Sequence, residues 1–379
     1  MTQSRLQQLH DAGQSIWLDF IERSMLHSGD LARRIKTDAL TGMTSNPTIF
    51  EKALAEGTAY DAQIRDAAGD LSAKQLFELL STTDVRDACD AYADIYGSTK
   101  GGDGYVSIEV SPGAANDYSA TIEEAHRLWA TVNRPNVMIK VPGTLAGAKA
   151  VRQLISDGLN INITLLFAIA AHDRVIDAYM AGLEDRVAAG KAINGIASVA
   201  SFFVSRVDTE IDQRLESMAQ AHPATGARFK PLEGTAAVAN AKLAYALFRE
   251  RFGTRRWQTL ASKGARVQRP LWASTSTKNP AYRDVMYVED LIGPDTVNTM
   301  PPATIEAFRD HGNTKRTVDE GVDVARQEIG AIEAAGISMR DVTDKLLADG
   351  LASFGKSYDS LIAGLAKKSQ QLGRQLVAH

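Results

Sequence analysis

A single cysteine, Cys89, among 379 residues excludes a disulfide framework and any zinc site built on cysteine. No run approaches the ~18 uninterrupted apolar residues of a membrane-spanning helix, so no membrane partner is expected. The opening residues, Met1-Thr2-Gln3-Ser4-Arg5, lead into an amphipathic pattern without the apolar core of a secretory signal, and a cytoplasmic location is expected. The seven histidines show no paired metal-ligand spacing, so no metal is expected. No Gly-x-Gly-x-x-Gly follows an early apolar run, which counts against a dinucleotide-binding fold. Gly101-Gly102-Asp103-Gly104 reads as a turn before a strand. Neither charge sign dominates: 42 basic against 46 acidic side chains leaves −4, and no nucleic-acid partner is expected. Low-complexity tracts, internal repeats and a convincing linker are also missing. The whole chain, 1–379, is therefore read as one domain, a length that α/β barrels with additions reach.

What is present is alternation. Short β-branched or apolar runs occur at 15–20, 40–46, 105–110, 136–141, 162–167, 192–203, 270–275 and 296–300. Between them lie helical spacings at 83–96, 121–132, 145–157, 168–188, 207–221 and 235–252. Strand and helix in alternation predict βαβ units and a parallel sheet. Eight such units favour a closed (β/α)₈ barrel over an open sheet. The segment 222–234 reads as a long surface loop, and helices at 317–335 and 339–365 close or cross the barrel before a basic tail, Lys367-Lys368-Ser369.

Alternate residues of a strand share a face. One face collects Trp17 with Asp19, Thr44 with Asn46, Ser107 with Glu109, Met138 with Lys140, Asn162 with Thr164, and Trp272 with Ser274. The other face is apolar, as in Ile108 and Val110, Ile139 and Val141, and Ile163, Leu165 and Phe167. In a barrel the apolar face meets the helices, and polar groups late in each strand point into the carboxy-terminal mouth. Asp19, Asn46, Glu109, Lys140, Thr164 and Ser274 converge there on this reading.

Lys140 is the chemical centre. Among the apolar residues of Val137-Met138-Ile139-Lys140-Val141-Pro142 its amine is desolvated toward the neutral form, the nucleophile that condenses with a ketone or aldehyde. The run alone favours a strand-end lysine snorkelling to solvent, and the carboxylates at matching depth on other strands reverse that preference. Asp19 and Glu109 supply acid–base groups for carbinolamine formation, carbon–carbon cleavage and imine hydrolysis. Asp19 as a helix cap, Glu109 as half of a structural ion pair and Asn46-Pro47 as a plain turn remain open. Arg206 follows the sixth run and Lys278 the seventh, where late barrel loops often hold phosphate; surface ion pairs would also explain them. Arg249, Arg251, Arg255 and Arg256 read as a solvated face, and Cys89 as a packed core residue.

Together, Thr44-Ser45-Asn46-Pro47-Thr48-Ile49-Phe50, Val106-Ser107-Ile108-Glu109-Val110 and Ile139-Lys140-Val141-Pro142-Gly143-Thr144 resemble the transaldolase family of Schiff-base enzymes. Residues 160–167 and 201–206 extend the match in the same order. The resemblance implies a (β/α)₈ barrel, no cofactor, and transfer of a dihydroxyacetone unit between phosphorylated sugars in the non-oxidative pentose phosphate branch. It further implies Lys140 as the Schiff-base lysine, Asp19 as the base for the C4 hydroxyl, and Glu109 with Thr164 handling the catalytic water. Asn46, Ser201 and Ser274 would contact the three-carbon unit, and Arg206 the phosphate. Aldolase-like members of the superfamily tend to carry glutamine and tyrosine where this chain has Glu109 and Phe203, which favours transfer over release. One departure stands out. Many members place a second arginine after the seventh strand, whereas this chain reads Ala273-Ser274-Thr275-Ser276-Thr277-Lys278, leaving Lys278 as a point charge in place of a bidentate fork. Some members of the longer bacterial subgroup carry a fused phosphoglucose isomerase domain, expected to be absent from a chain stopping at His379. An aldolase releasing free dihydroxyacetone and a non-catalytic sugar-phosphate-binding barrel remain rivals. The oligomeric state is open, a homodimer included.

Overall fold

The computed structural model describes residues 3–55, 57–67 and 71–377; Met1, Thr2 and His379 lie outside them. Eight parallel strands close in chain order into a barrel: β1 Gln14–Asp19, β2 Leu40–Thr44, β3 Tyr105–Glu109, β4 Val137–Pro142, β5 Ile161–Leu166, β6 Ser198–Phe203, β7 Arg269–Ala273 and β8 Thr296–Met300. β1 pairs with β8, so no edge is left open. The barrel interior is filled by Trp17, Tyr105, Met138, Val199, Leu271 and Val297, and the larger core lies between the strands and the surrounding helices. Gly42 is the small residue that makes room for Trp17, since a Cβ there would stand 2.5 Å from the indole Nε1.

The amino-terminal end is plugged by polar groups. Asp103, in the turn before β3, accepts from Trp17 Nε1 at 2.8 Å and from Ser15, and pairs with Arg269 at 3.4 Å. Arg269 also donates to the Thr296 carbonyl at 2.7 Å. The polar floor joins β1, β7 and β8 below the apolar layers.

Several boundaries differ from the sequence expectation. The sixth strand starts at Ser198 rather than 192, because a turn at Asn194-Gly195 precedes it. β2 ends at Thr44, because Asn46 caps the helix Pro47–Ala55, accepting from Ile49 N at 3.1 Å. The helix expected over 83–96 begins at Ala73, where Ser72 and Gln75 form a capping box, and runs to Ala91; Ala93–Ser98 is a separate short helix. The 222–234 segment holds a 3₁₀ turn, Gly226–Leu232, anchored by buried Phe229. Arg251 and Arg256 do more than face solvent: they pair with Asp173 at 3.1 Å and Glu184 at 2.7 Å on the helix Ile169–Ala188. Cys89 is buried, and burial pushes its thiol well up.

The chain after 317 contributes the helices Val322–Ala334 and Met339–Val377. The second continues through Lys367-Lys368-Ser369, so these residues are helical rather than a tail. Lys368 pairs with Asp61 at 2.9 Å and donates to the Leu54 and Gly57 carbonyls. Nearer its start, Lys345 pairs with Glu210 at 3.1 Å, and Ser357 accepts from Thr48 at 2.9 Å. This helix therefore lies across the carboxy-terminal mouth, tied to elements on both sides. No helix among the described residues is long and apolar enough to cross a membrane.

Candidate active site

The register of β3 and β4 sets Glu109 directly beside Lys140. Both point inward near the mouth, and Lys140 Nζ lies 3.1 Å from Glu109 Oε2 and 3.3 Å from the Ser45 carbonyl. Lys140 is 7% exposed. The amine thus stands in an ion pair at the end of a buried strand, neither snorkelling to solvent nor enclosed by apolar groups alone. Burial pushes the Glu109 carboxyl up, and the charge of Lys140 opposes that shift. A carboxylate raised in this way is a willing acceptor for the proton that a nucleophilic amine must lose.

Asp19, at the end of β1, accepts from Thr44 Oγ1 at 2.7 Å, and Thr44 shares a second hydrogen bond with Thr299 at 2.6 Å. Burial raises the Asp19 carboxyl as well, again opposed by Lys140. The nearby helix Arg23–His27 takes Glu22 as its N-cap residue, so the cap reading of Asp19 is replaced by the Thr44 contact. Beneath Lys140 runs a buried chain in which Ser201 donates to Asn162 Oδ1 at 2.7 Å and Asn162 donates to Ser107 Oγ at 3.0 Å. Ser45 donates to the Ser107 carbonyl at 2.8 Å, which fixes the peptide facing the amine. Satisfied polar networks of this kind hold neighbouring side chains rigidly.

All ten residues singled out from the sequence line one cavity of about 690 Å³ at the carboxy-terminal mouth: Asp19, Asn46, Glu109, Lys140, Thr164, Ser201, Phe203, Arg206, Ser274 and Lys278. Of these, Ser274 arrives by a route that strand parity did not anticipate. On β7 it is Leu271 and Ala273 that face inward, while Trp272 packs outward and donates from Nε1 to the Leu291 carbonyl at 3.1 Å. Ser274 follows the strand in the left-handed region, with φ of 57°, and this turns it back into the mouth, 2.9 Å from Ser205 Oγ. Leu165, assigned to the helix-facing side, has φ of 58° at an irregularity of β5 and also lines the cavity.

Arg206 occupies the first turn of the helix Ser205–Ala221, its guanidinium 5.3 Å from the Phe203 ring centroid. It is half-buried with no carboxylate partner among the described residues, a cation aimed into a cavity. Lys278 is exposed and donates to Ser276 Oγ at 2.8 Å. Sequence reasoning missed Lys52, one turn into the helix after Asn46, and the far wall supplied by Gly350, Ser353 and Phe354 of the helix Met339–Val377. A Cβ at Gly350 would stand 3.0 Å from Leu165 and 3.8 Å from Arg206 Nη1, so glycine permits this close passage. The pairing of Asn46-Pro47 with Lys52 on one short helix was the available signal for that cation. Nothing in the sequence links residues 350–354 to the strands. Among the described residues no group of three or more His, Cys, Asp or Glu side chains is arranged to hold a metal ion.

The Transaldolase/Fructose-6-phosphate aldolase family model matches residues 16–365. A transaldolase of Thermobifida fusca is 46% identical over 99% of this chain and 99% of its own length. Transaldolase 2 of a Nostoc species is 45% identical over 98% and 99%. A Mycolicibacterium smegmatis transaldolase is 46% identical over 93% and 94%. The chain belongs to the transaldolase/fructose-6-phosphate aldolase family.

Proposed function

We propose that this chain is a transaldolase that moves a dihydroxyacetone unit from a ketose phosphate to an aldose phosphate through an imine on Lys140. The observation that carries the reading is the buried Lys140 amine, 3.1 Å from Glu109, in the same cavity as Asp19 and the Arg206 guanidinium. The amine gives a proton to Glu109 and attacks the C2 carbonyl; the carbinolamine then loses water, with Glu109 returning the proton to the leaving hydroxyl. Asp19 takes the C4 hydroxyl proton. The C3–C4 bond breaks, its electron pair passes into the iminium to give an enamine, and an aldose phosphate leaves. The enamine attacks the acceptor aldehyde, Asp19 returns its proton to the new alkoxide, and water releases the product ketose. Thr164, which lines the same cavity, shares the handling of that water. Asn46, Ser201 and Ser274 hold the three-carbon unit, Phe203 forms an apolar wall, and Arg206 with Lys278 receives the phosphate.

The family name also covers fructose 6-phosphate aldolases, which would release the three-carbon unit. A carboxylate at Glu109 and a phenyl ring at Phe203 favour transfer, and assays with and without an acceptor aldehyde separate the two activities. A cytoplasmic enzyme suits phosphorylated substrates, which do not cross membranes. Borohydride with fructose 6-phosphate should inactivate the enzyme irreversibly and leave a three-carbon adduct on Lys140 in peptide mass maps. Reduction at another lysine, or no trapping at all, would refute the imine.

A further inference from the structure

The helix that begins with Ser205 and Arg206 carries two buried carboxylates one turn apart, Asp208 and Asp212. Residues four apart share a helix face, so both meet the same neighbour, the loop after β7. Tyr287 donates to Asp208 Oδ2 at 2.8 Å, and Tyr282 donates to Asp212 Oδ2 at 2.6 Å. The remaining oxygens are also used: Asp208 Oδ1 accepts from Ala237 N at 2.7 Å, and Asp212 Oδ1 from Gly234 N at 2.9 Å. Each carboxylate therefore joins three segments of chain. Gly234 completes the seat. It has φ of 72°, and a Cβ there would stand 2.7 Å from Tyr282 Cζ.

The loop held in this way bears Lys278. Ser205 binds its start, donating from its backbone N to the Ser274 carbonyl at 3.0 Å. A turn in which Tyr282 N donates to the Asn279 carbonyl follows Lys278 directly. Lys278 is thus fastened between the Ser274 and Tyr282 attachments, both to the helix that carries Arg206. We propose that Tyr282 and Tyr287 are positioning residues for the substrate phosphate: acting through Asp212 and Asp208, they hold the Lys278 loop at the spacing from Arg206 that a phosphate dianion bridges. The proposal rests on the reading of this mouth as a sugar-phosphate site. A flexible lysine on a free loop would lose much of its binding energy to ordering, and a preset loop avoids that loss. Where the second cation is a point charge, the frame has to provide the geometry that an arginine fork provides by itself.

The test compares wild type with Tyr282→Phe, Tyr287→Phe and the double variant, which keep the rings and remove only the hydroxyls. Calorimetry measures binding of inorganic phosphate, and kinetics compare fructose 6-phosphate with unphosphorylated fructose. The double variant is expected to bind phosphate about tenfold more weakly and to show a KM for fructose 6-phosphate raised by about the same factor. Its kcat, and its slow use of unphosphorylated fructose, should stay at the wild-type level. Gly234→Ala, which displaces the Tyr282 ring with its hydroxyl intact, should copy Tyr282→Phe. Unchanged phosphate binding, equal loss on both sugars, or a wild type that binds no phosphate overturns the proposal. Should the double variant not fold, Tyr282→Phe decides by the same measurements. A wild type that turns over no ketose phosphate, yet binds phosphate in a tyrosine-dependent way, would defeat the transaldolase reading and leave the positioning role standing.

Discussion

Glu109 and Lys140 are partners in register on adjacent strands, and their carboxylate and amine meet at 3.1 Å inside the barrel mouth. The pair is buried, so moving one proton from nitrogen to oxygen removes two charges from a poorly solvating site. On the proposed mechanism, a nucleophilic amine and its general acid arise together from that single transfer.

Asp19→Asn and Glu109→Gln should therefore stop different steps. Loss of a positioned acid or base costs ~10²–10⁴-fold in rate. With Asp19→Asn the imine should still form and be trapped by borohydride, because only bond cleavage fails. With Glu109→Gln trapping itself should slow. Equal trapping rates in the two variants would refute this division.

Arg206→Ala should raise KM for fructose 6-phosphate by about 10–150-fold, since a charge-assisted contact is worth roughly 1.5–3 kcal/mol and roughly 1.4 kcal/mol is tenfold. Turnover of unphosphorylated fructose should be almost untouched. Lys278→Ala should act in the same direction but less, because Lys278 is exposed and its contact is monodentate. Parallel losses on both sugars would rule out a phosphate role.

Asp208 gives the stability a pH dependence of defined sign. Burial pushes its carboxyl up to about 7 from 3.8, against the hydrogen bonds from Ala237 and Tyr287. Between those values the native state binds more protons than the unfolded chain, so this stabilising contribution is full below the unfolded value and is lost as pH rises toward 7. One pKa unit is worth ~1.4 kcal/mol. From roughly pH 5 to 7, wild type should lose on the order of 2–3 kcal/mol relative to Asp208→Asn. The difference in Tm between the two, followed across that range, should shrink or change sign as pH rises; a flat difference would contradict it.

Gly42→Ala should destabilise the barrel without touching the mouth. The added methyl would meet the Trp17 indole at 2.5 Å and disturb its 2.8 Å bond to Asp103. Overpacking of this kind costs about 1–3 kcal/mol. The midpoint of urea unfolding should fall, and an unchanged midpoint would show that the indole can move aside.

The barrel was legible because eight runs alternate with helical spacings, and much of the site because polar groups recur late in those runs on one parity. Parity, however, is reliable only while the backbone stays extended. At Leu165 a positive φ turns into the mouth a side chain that period-two counting assigns to the helices. At Ser274 a positive φ breaks the alternation, so that Ser274 faces the mouth although Trp272, two residues before it, does not. Counting back by two from Ser274 therefore puts Trp272 inside, whereas it packs outside. Contacts between distant parts of the chain left no pattern to read. Asp103 reaching Trp17, Ser45 presenting its carbonyl to Lys140, and Gly350 passing Arg206 follow from how the elements close on each other, not from local spacing.

The helix Met339–Val377 has a consequence for the order of events during synthesis. All eight strands leave the ribosome before Gly350, Ser353 and Phe354 are made. The nascent chain thus carries every strand, Lys140 and Glu109 included, while the far wall of the cavity is still being translated. The strands and the wall that closes the cavity over them are separated in order of synthesis along this chain, and the last long helix, which also buries Leu346, Leu361 and Leu365 in the core, is the element that joins them.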